Sequence, residues 1–63
     1  MLSENLKKYR KEKKLTKMEL SRQANVSVRT IEHIEYKKTT NPKIQTLQKL
    51  SNTLNVAVED LLK

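Results

Sequence analysis

Neither cysteine nor glycine occurs anywhere in the sequence, and proline occurs once, at Pro42. Without thiols there is no disulfide and no thiolate metal site. The single histidine, His33, is too few for an imidazole metal cluster. Without glycine there is no glycine-rich phosphate loop, and no nucleophile stands beside a base: Ser27 and His33 are six residues apart and point in different directions on a helix. The chain is therefore expected to be no enzyme and to need no cofactor. No apolar run approaches the ~20 residues of a membrane span. A basic start followed by an apolar stretch, as in a secretion signal, is also missing, so the expected location is the cytoplasm. At 63 residues the chain is expected to form a single domain, residues 1–63, around one small core.

What is present in excess is positive charge. Residues 7–38 carry eleven basic and four acidic side chains, which accounts for the whole formal net charge of +7. Outside that stretch Lys43, Lys49 and Lys63 balance Glu4, Glu59 and Asp60. Such asymmetry fits a polyanionic partner, nucleic acid or an anionic membrane surface, and equally a solvated lysine-rich face. Short, separate helices rather than one long amphipathic helix argue against the membrane surface.

Helical spacing dominates and strand-like alternation is nearly absent. Leu2, Leu6 and Tyr9 share a stripe with Arg10 and Lys13. Leu15, Leu20, Ala24 and Val26 suit a short second helix, and Ile31 and Ile34 mark a third. Ile44, Leu47, Leu50 and Leu54 mark a fourth, and Val58, Leu61 and Leu62 a short last one. The expected fold is all-α, a compact five-helix bundle.

One phrase recurs: Asn-Val-Ser-Val at 25–28 and Asn-Val-Ala-Val at 55–58. Asparagine tolerates positive φ better than most residues and can end a helix in place of glycine. Ser27 can cap the next helix by accepting from a free backbone amide. Val26 and Ile31 can clasp across the cap, as can Leu15 and Leu20 and then Val56 and Leu61; Thr16 and Glu19 add a capping box. Ala57 stands where the second copy needs a cap. The helices that the two copies introduce also differ. At 100° per residue Arg29, Glu32, His33 and Tyr36 oppose Ile31 and Ile34, whereas the second copy leads into Glu59, Asp60 and two leucines. The first helix offers a hydrogen-bonding face and the second a packing or pairing element.

Residues 15–36, LTKMELSRQANVSVRTIEHIEY, resemble the helix-turn-helix of the phage-repressor and Cro-type (XRE-like) family, and the likeness runs on through KKTTNP and IQTLQKLSNTLNVAVEDLL, over residues 2–62. The resemblance implies a lambda-repressor-like DNA-binding domain with its helix-turn-helix at 17–36 and the third helix in the major groove. Ser21, Asn25, Ile31 and Ile34 fit the small residue, positive-φ turn and apolar anchors of such a motif. The family more often has alanine and glycine where this chain has Ser21 and Asn25. It often has glutamine in place of Lys17 and Asn-Gly-Lys in place of Tyr36-Lys37-Lys38, so the target sequence does not carry over.

The resemblance implies a double-stranded DNA partner and roles for particular residues. Val28, Arg29, Glu32 and His33 are expected at base edges. Arginine can grip guanine through two hydrogen bonds, a carboxylate can accept from a cytosine amino group, and valine can touch a thymine methyl. Glu32 can instead orient Arg29. Lys17, Ser27, Tyr36, Lys37, Lys38, Thr39, Thr40, Asn41 and Lys43 are expected at phosphates. Arg10 and Glu35 are expected to form an internal ion pair. One recognition helix reads only a few base pairs, so a homodimer on a pseudo-palindrome is expected, with half-sites about 10–10.5 base pairs apart. Val56, Val58, Leu61 and Leu62, more apolar groups than one short helix hides on one face, are the expected dimer interface. The expected function is a transcriptional repressor; the alternative is an antitoxin-type interaction module that holds a small protein partner and also binds DNA.

Overall fold

The computed structural model describes residues 1–38 and 41–63. Five helices occur in order: α1 (Leu2–Glu12), α2 (Lys17–Ala24), α3 (Val28–Glu35), α4 (Ile44–Leu54) and α5 (Val58–Leu62). No strand occurs among the described residues. Helix α1 packs on α3 and α5, α2 packs on α3 and α4, and α4 packs on α5, within 22 × 21 × 19 Å.

The starts of the helices reflect the side chains available there. Thr16 Oγ1 accepts from the Glu19 amide at 3.0 Å, and the Glu19 carboxylate accepts from the Thr16 amide at 2.8 Å, a complete capping box at α2. Ser27 Oγ accepts from the Thr30 amide at 3.1 Å and caps α3. Ala57 has no acceptor to offer α5. Half of the box survives from the other side, because the Asp60 carboxylate accepts from the Ala57 amide at 3.0 Å.

The helix ends solve the absence of glycine in one way throughout. Helices α1 to α4 are each followed by a residue in the left-handed region: Lys14 (φ 57°), Asn25 (57°), Lys37 (62°) and Asn55 (58°). The next amide then reaches back five residues, Leu15 to Arg10 at 3.1 Å, Val26 to Ser21 at 3.1 Å, Lys38 to His33 at 2.8 Å and Val56 to Ser51 at 3.0 Å. These are Schellman closures, which satisfy carbonyls that the helix leaves unpaired. The two asparagines match the expectation from the repeated phrase. The two lysines had no such signal, and each carries a steric cost of about 1 kcal/mol.

The core joins Leu6, Leu20, Ala24, Val26, Ile31, Ile34, Leu50, Leu54 and Leu61, with Leu2, Tyr9, Leu15 and Val56 packed against it. All three expected valine or leucine clasps thus lie on or in the core. Ile44 departs from the expected stripe: it is the first residue of α4 and is 57% exposed, while Leu47, Leu50 and Leu54 are buried. Leu61 corrects the expected dimer interface. It is wholly buried in the chain's own core, and Asn5 of α1 donates to its carbonyl at 3.0 Å, which fastens the end of α5 to α1. Val56 and Val58 are half-buried and Leu62 is 53% exposed, so these three alone retain surface for a partner.

Candidate nucleic-acid interface

Helix α3 is positioned from beneath by its apolar side and from one end by an ion pair. Ile31 and Ile34 are fully buried against the other helices. Glu35, one turn past Ile31, is only 2% exposed yet charged. The structure brings Arg10 to it: Nε donates to Oε2 at 2.8 Å and Nη2 to Oε1 at 3.2 Å, a two-pronged contact. The third guanidinium nitrogen, Nη1, donates to the Leu15 carbonyl at 2.9 Å, just before the α2 cap. One side chain of α1 therefore ties the entry of α2 to the far end of α3. A buried carboxylate is tolerable only with such satisfaction.

With its inner side fixed, α3 presents the other side outward. Val28 opens the helix half-buried, Arg29 is exposed, and Glu32 and His33 are half-buried on the following turn. Tyr36, at the helix end, is 54% exposed. Among the described residues Arg29 has no carboxylate partner. Glu32 does not orient it, contrary to that alternative; Glu32 faces Lys17, with Nζ 3.7 Å from Oε2.

Lys17 is the least expected feature of this surface. As the first residue of α2 it sits where a positive charge is unfavourable to the helix dipole. Its ammonium instead turns to α3: Nζ donates to the Tyr36 hydroxyl and lies 4.5 Å from the centre of the Tyr36 ring. The hydrogen bond to Tyr36 is the main reason that the Lys17 pKa is raised above 10.5, with the charge of Glu32 adding to it. Lys17 and Tyr36, both expected at phosphates, thus also hold each other across the two helices. Sequence spacing could not reveal this cluster, because Lys17 meets α3 only through the angle between α2 and α3.

The remaining expected phosphate contacts among the described residues are exposed. Ser27 is engaged as the α3 cap and also shares a 2.8 Å hydrogen bond with the Thr30 hydroxyl. Lys37, Lys38, Asn41 and Lys43 are exposed, and Lys43 directly precedes α4. Thr39 and Thr40 lie outside the described residues. Among the described residues no group of His, Asp or Glu side chains is arranged to hold a metal ion, and no helix is long and apolar enough to cross a membrane.

Comparison with known proteins matches this geometry. The Helix-turn-helix family model fits residues 6–61. The HTH-type transcriptional regulator SinR of Bacillus subtilis (strain 168) is 42% identical over 62 residues, covering 98% of this chain and 56% of SinR. The chain therefore spans about half the length of that relative. The structure of SinR, master regulator for biofilm formation, in complex with DNA superposes with a TM-score of 0.96 at 41% identity over the whole of both chains. The SinR–SinI protein complex gives 0.95 at 41% identity, covering all of this chain and 61% of that one. With five helices in this order, a capped α2–turn–α3 unit and these relatives, the chain belongs to the helix-turn-helix family.

Proposed function

We propose that this protein is a sequence-specific DNA-binding transcriptional regulator, a repressor that acts in the cytoplasm as a homodimer on a pseudo-palindromic operator. Helix α3 enters the major groove with Arg29 at its leading turn, and Val28, Glu32 and His33 read neighbouring base edges. Lys17, Ser27, Tyr36, Lys37, Lys38, Thr39, Thr40, Asn41 and Lys43 are assigned to the phosphates. The observation that carries the reading is the exposed Arg29, without a carboxylate partner among the described residues, on an α3 whose inner side is buried, within the stretch that holds the whole net charge. The likeness to SinR bound to DNA supports it, since that chain is matched over its full length.

The dimer is assigned to Val56, Val58 and Leu62 beside the net-neutral end of the chain, where two copies do not repel strongly. A second reading, a small protein partner, is favoured by the likeness to SinR in its complex with SinI. Selection of bound duplexes from a random pool tests the first reading. A dimer that neutralises roughly 6–8 phosphates gives log K against log salt a slope of about −5 to −7. A nearly flat slope, or no selected sequence, rejects it. Insertion of five base pairs between half-sites, about half a helical turn, abolishes tight binding by a dimer; unchanged affinity with one protein per duplex rejects the dimer.

A further inference from the structure

Glu32 poses a physical problem for the reading above. It is a carboxylate, its side chain 42% exposed, on the face assigned to a polyanion. Alone, it is repelled by every phosphate near it, and it gains a base contact only if that repulsion is removed. The Lys17 side chain, 26% exposed, sits where this can be done. An ammonium has three N–H donors. In the free protein one is directed to the Tyr36 hydroxyl, and a second lies toward Glu32 Oε2 at 3.7 Å. That leaves the third N–H for a phosphate and leaves Glu32 Oε1 for another donor.

We propose that Lys17 is the positioning residue for Glu32: held on the ring and hydroxyl of Tyr36, it neutralises the carboxylate and bridges it to a DNA phosphate, so that Glu32 can accept from a cytosine amino group. Lys17, Glu32 and Tyr36 then set base preference as one unit, and Lys17 is more than a backbone anchor. The inference rests on the DNA-binding reading. It makes Lys17 and Glu32 energetically coupled, where a lysine that touched only phosphate would act independently of the carboxylate.

The test has two arms. In the free protein, NMR shows short proton–proton contacts between the end of the Lys17 side chain and the Tyr36 ring, and Tyr36→Phe, which removes the hydroxyl that Lys17 Nζ donates to, weakens them; a parent without those contacts overturns the clasp whatever DNA does. On a duplex selected by the parent, with each of the four bases placed in turn at every position, parent, Lys17→Ala, Glu32→Gln, the double variant and Lys17→Arg are compared, with melting curves to establish that each folds. The parent prefers cytosine at one position of each half-site. Lys17→Ala and Glu32→Gln each remove that preference, and Lys17→Arg retains it. In the Lys17→Ala background Glu32→Gln raises affinity by about threefold or more, whereas in the parent it lowers affinity for the cytosine-bearing duplex. If Glu32→Gln has the same effect in both backgrounds, or Lys17→Ala weakens binding equally for all four bases, the inference falls while the DNA reading stands. If the parent selects no duplex at all, both fall.

Discussion

The α2–α3 and α4–α5 joints are built from nearly the same residues and do different work. Each helix before the joint ends Ser-x-x-x-Asn-Val, with asparagine at φ 57° or 58° and a valine amide returning to the serine carbonyl. Beyond that shared stop, one residue separates them. Ser27 caps the first joint with a side-chain acceptor, and Ala57 leaves the second to Asp60 alone. The first launches an eight-residue helix whose outer face is polar, the second a five-residue helix whose Leu61 is buried and whose end is fastened by Asn5. A common stop therefore fixes the turn, while the cap and the side chains beyond it decide whether the next helix can stand with one face free. Helix α3 can do so because its inner side is anchored by two isoleucines and the Arg10–Glu35 pair.

The largest expected effect lies in that anchor. Arg10→Ala leaves Glu35 buried without its partner and destabilises the fold by about 3–5 kcal/mol, measured by chemical denaturation. Replacing both residues with apolar ones of similar volume is expected to restore much of that stability. A parent-like melt for Arg10→Ala contradicts a stabilising role for the pair. Next comes the swap of caps. Ser27→Ala costs about 1 kcal/mol and Ala57→Ser gains about 0.5–1 kcal/mol. Equal effects of the same sign at both joints contradict the distinction drawn between them. Smaller again, Lys14→Gly stabilises by about 0.5–1 kcal/mol, because glycine adopts the left-handed conformation without a Cβ clash.

The finest effect is in pH. The amide of Thr16 holds Glu19 below its ordinary 4.5, and the amide of Ala57 holds Asp60 below its ordinary 3.8. Carboxylates held low in the folded state stabilise it at pH values above those ordinary ones, and the contribution fades as pH falls through the lower folded values. Lys17, held above 10.5, contributes fully below that pH and loses its contribution only as pH rises further. An NMR titration is expected to show the Thr16 and Ala57 amides moving with midpoints below 4.5 and 3.8 respectively. Midpoints at or above those values contradict the caps.

Local rules read the helix starts and the two asparagine stops well, because a cap or a staple involves residues three to five apart. The apolar stripes placed most of the core for the same reason. What was not legible depends on how helices meet. Leu61 reads as surplus apolar surface in the sequence because only the packing of α5 on α1 shows it covered, and Ile44 reads as core because its spacing fits the α4 stripe although the folded chain leaves it exposed. The left-handed lysines escape because lysine carries no turn signal; only the absence of glycine near the ends of α1 and α3 hints that another residue must take that conformation. The Lys17–Tyr36 contact spans 19 residues, and its partners are set by the α2–α3 crossing rather than by any spacing. Arg10 and Glu35, 25 residues apart, are paired in the sequence only through family resemblance.

If the first joint delivers a reader and the second a packing element, equivalent positions after the two joints must differ in their effect on DNA binding. Arg29 and Glu59 each lie four residues after their asparagine, and both are exposed. Affinities of Arg29→Ala and Glu59→Ala for one selected duplex, measured at the same salt, compare them directly. Arg29→Ala is expected to lose roughly 1–3 kcal/mol and to relax preference at one base pair, while Glu59→Ala binds as the parent or slightly tighter because it removes a negative charge. Equal losses for the two variants, or a loss confined to Glu59→Ala, would contradict those roles.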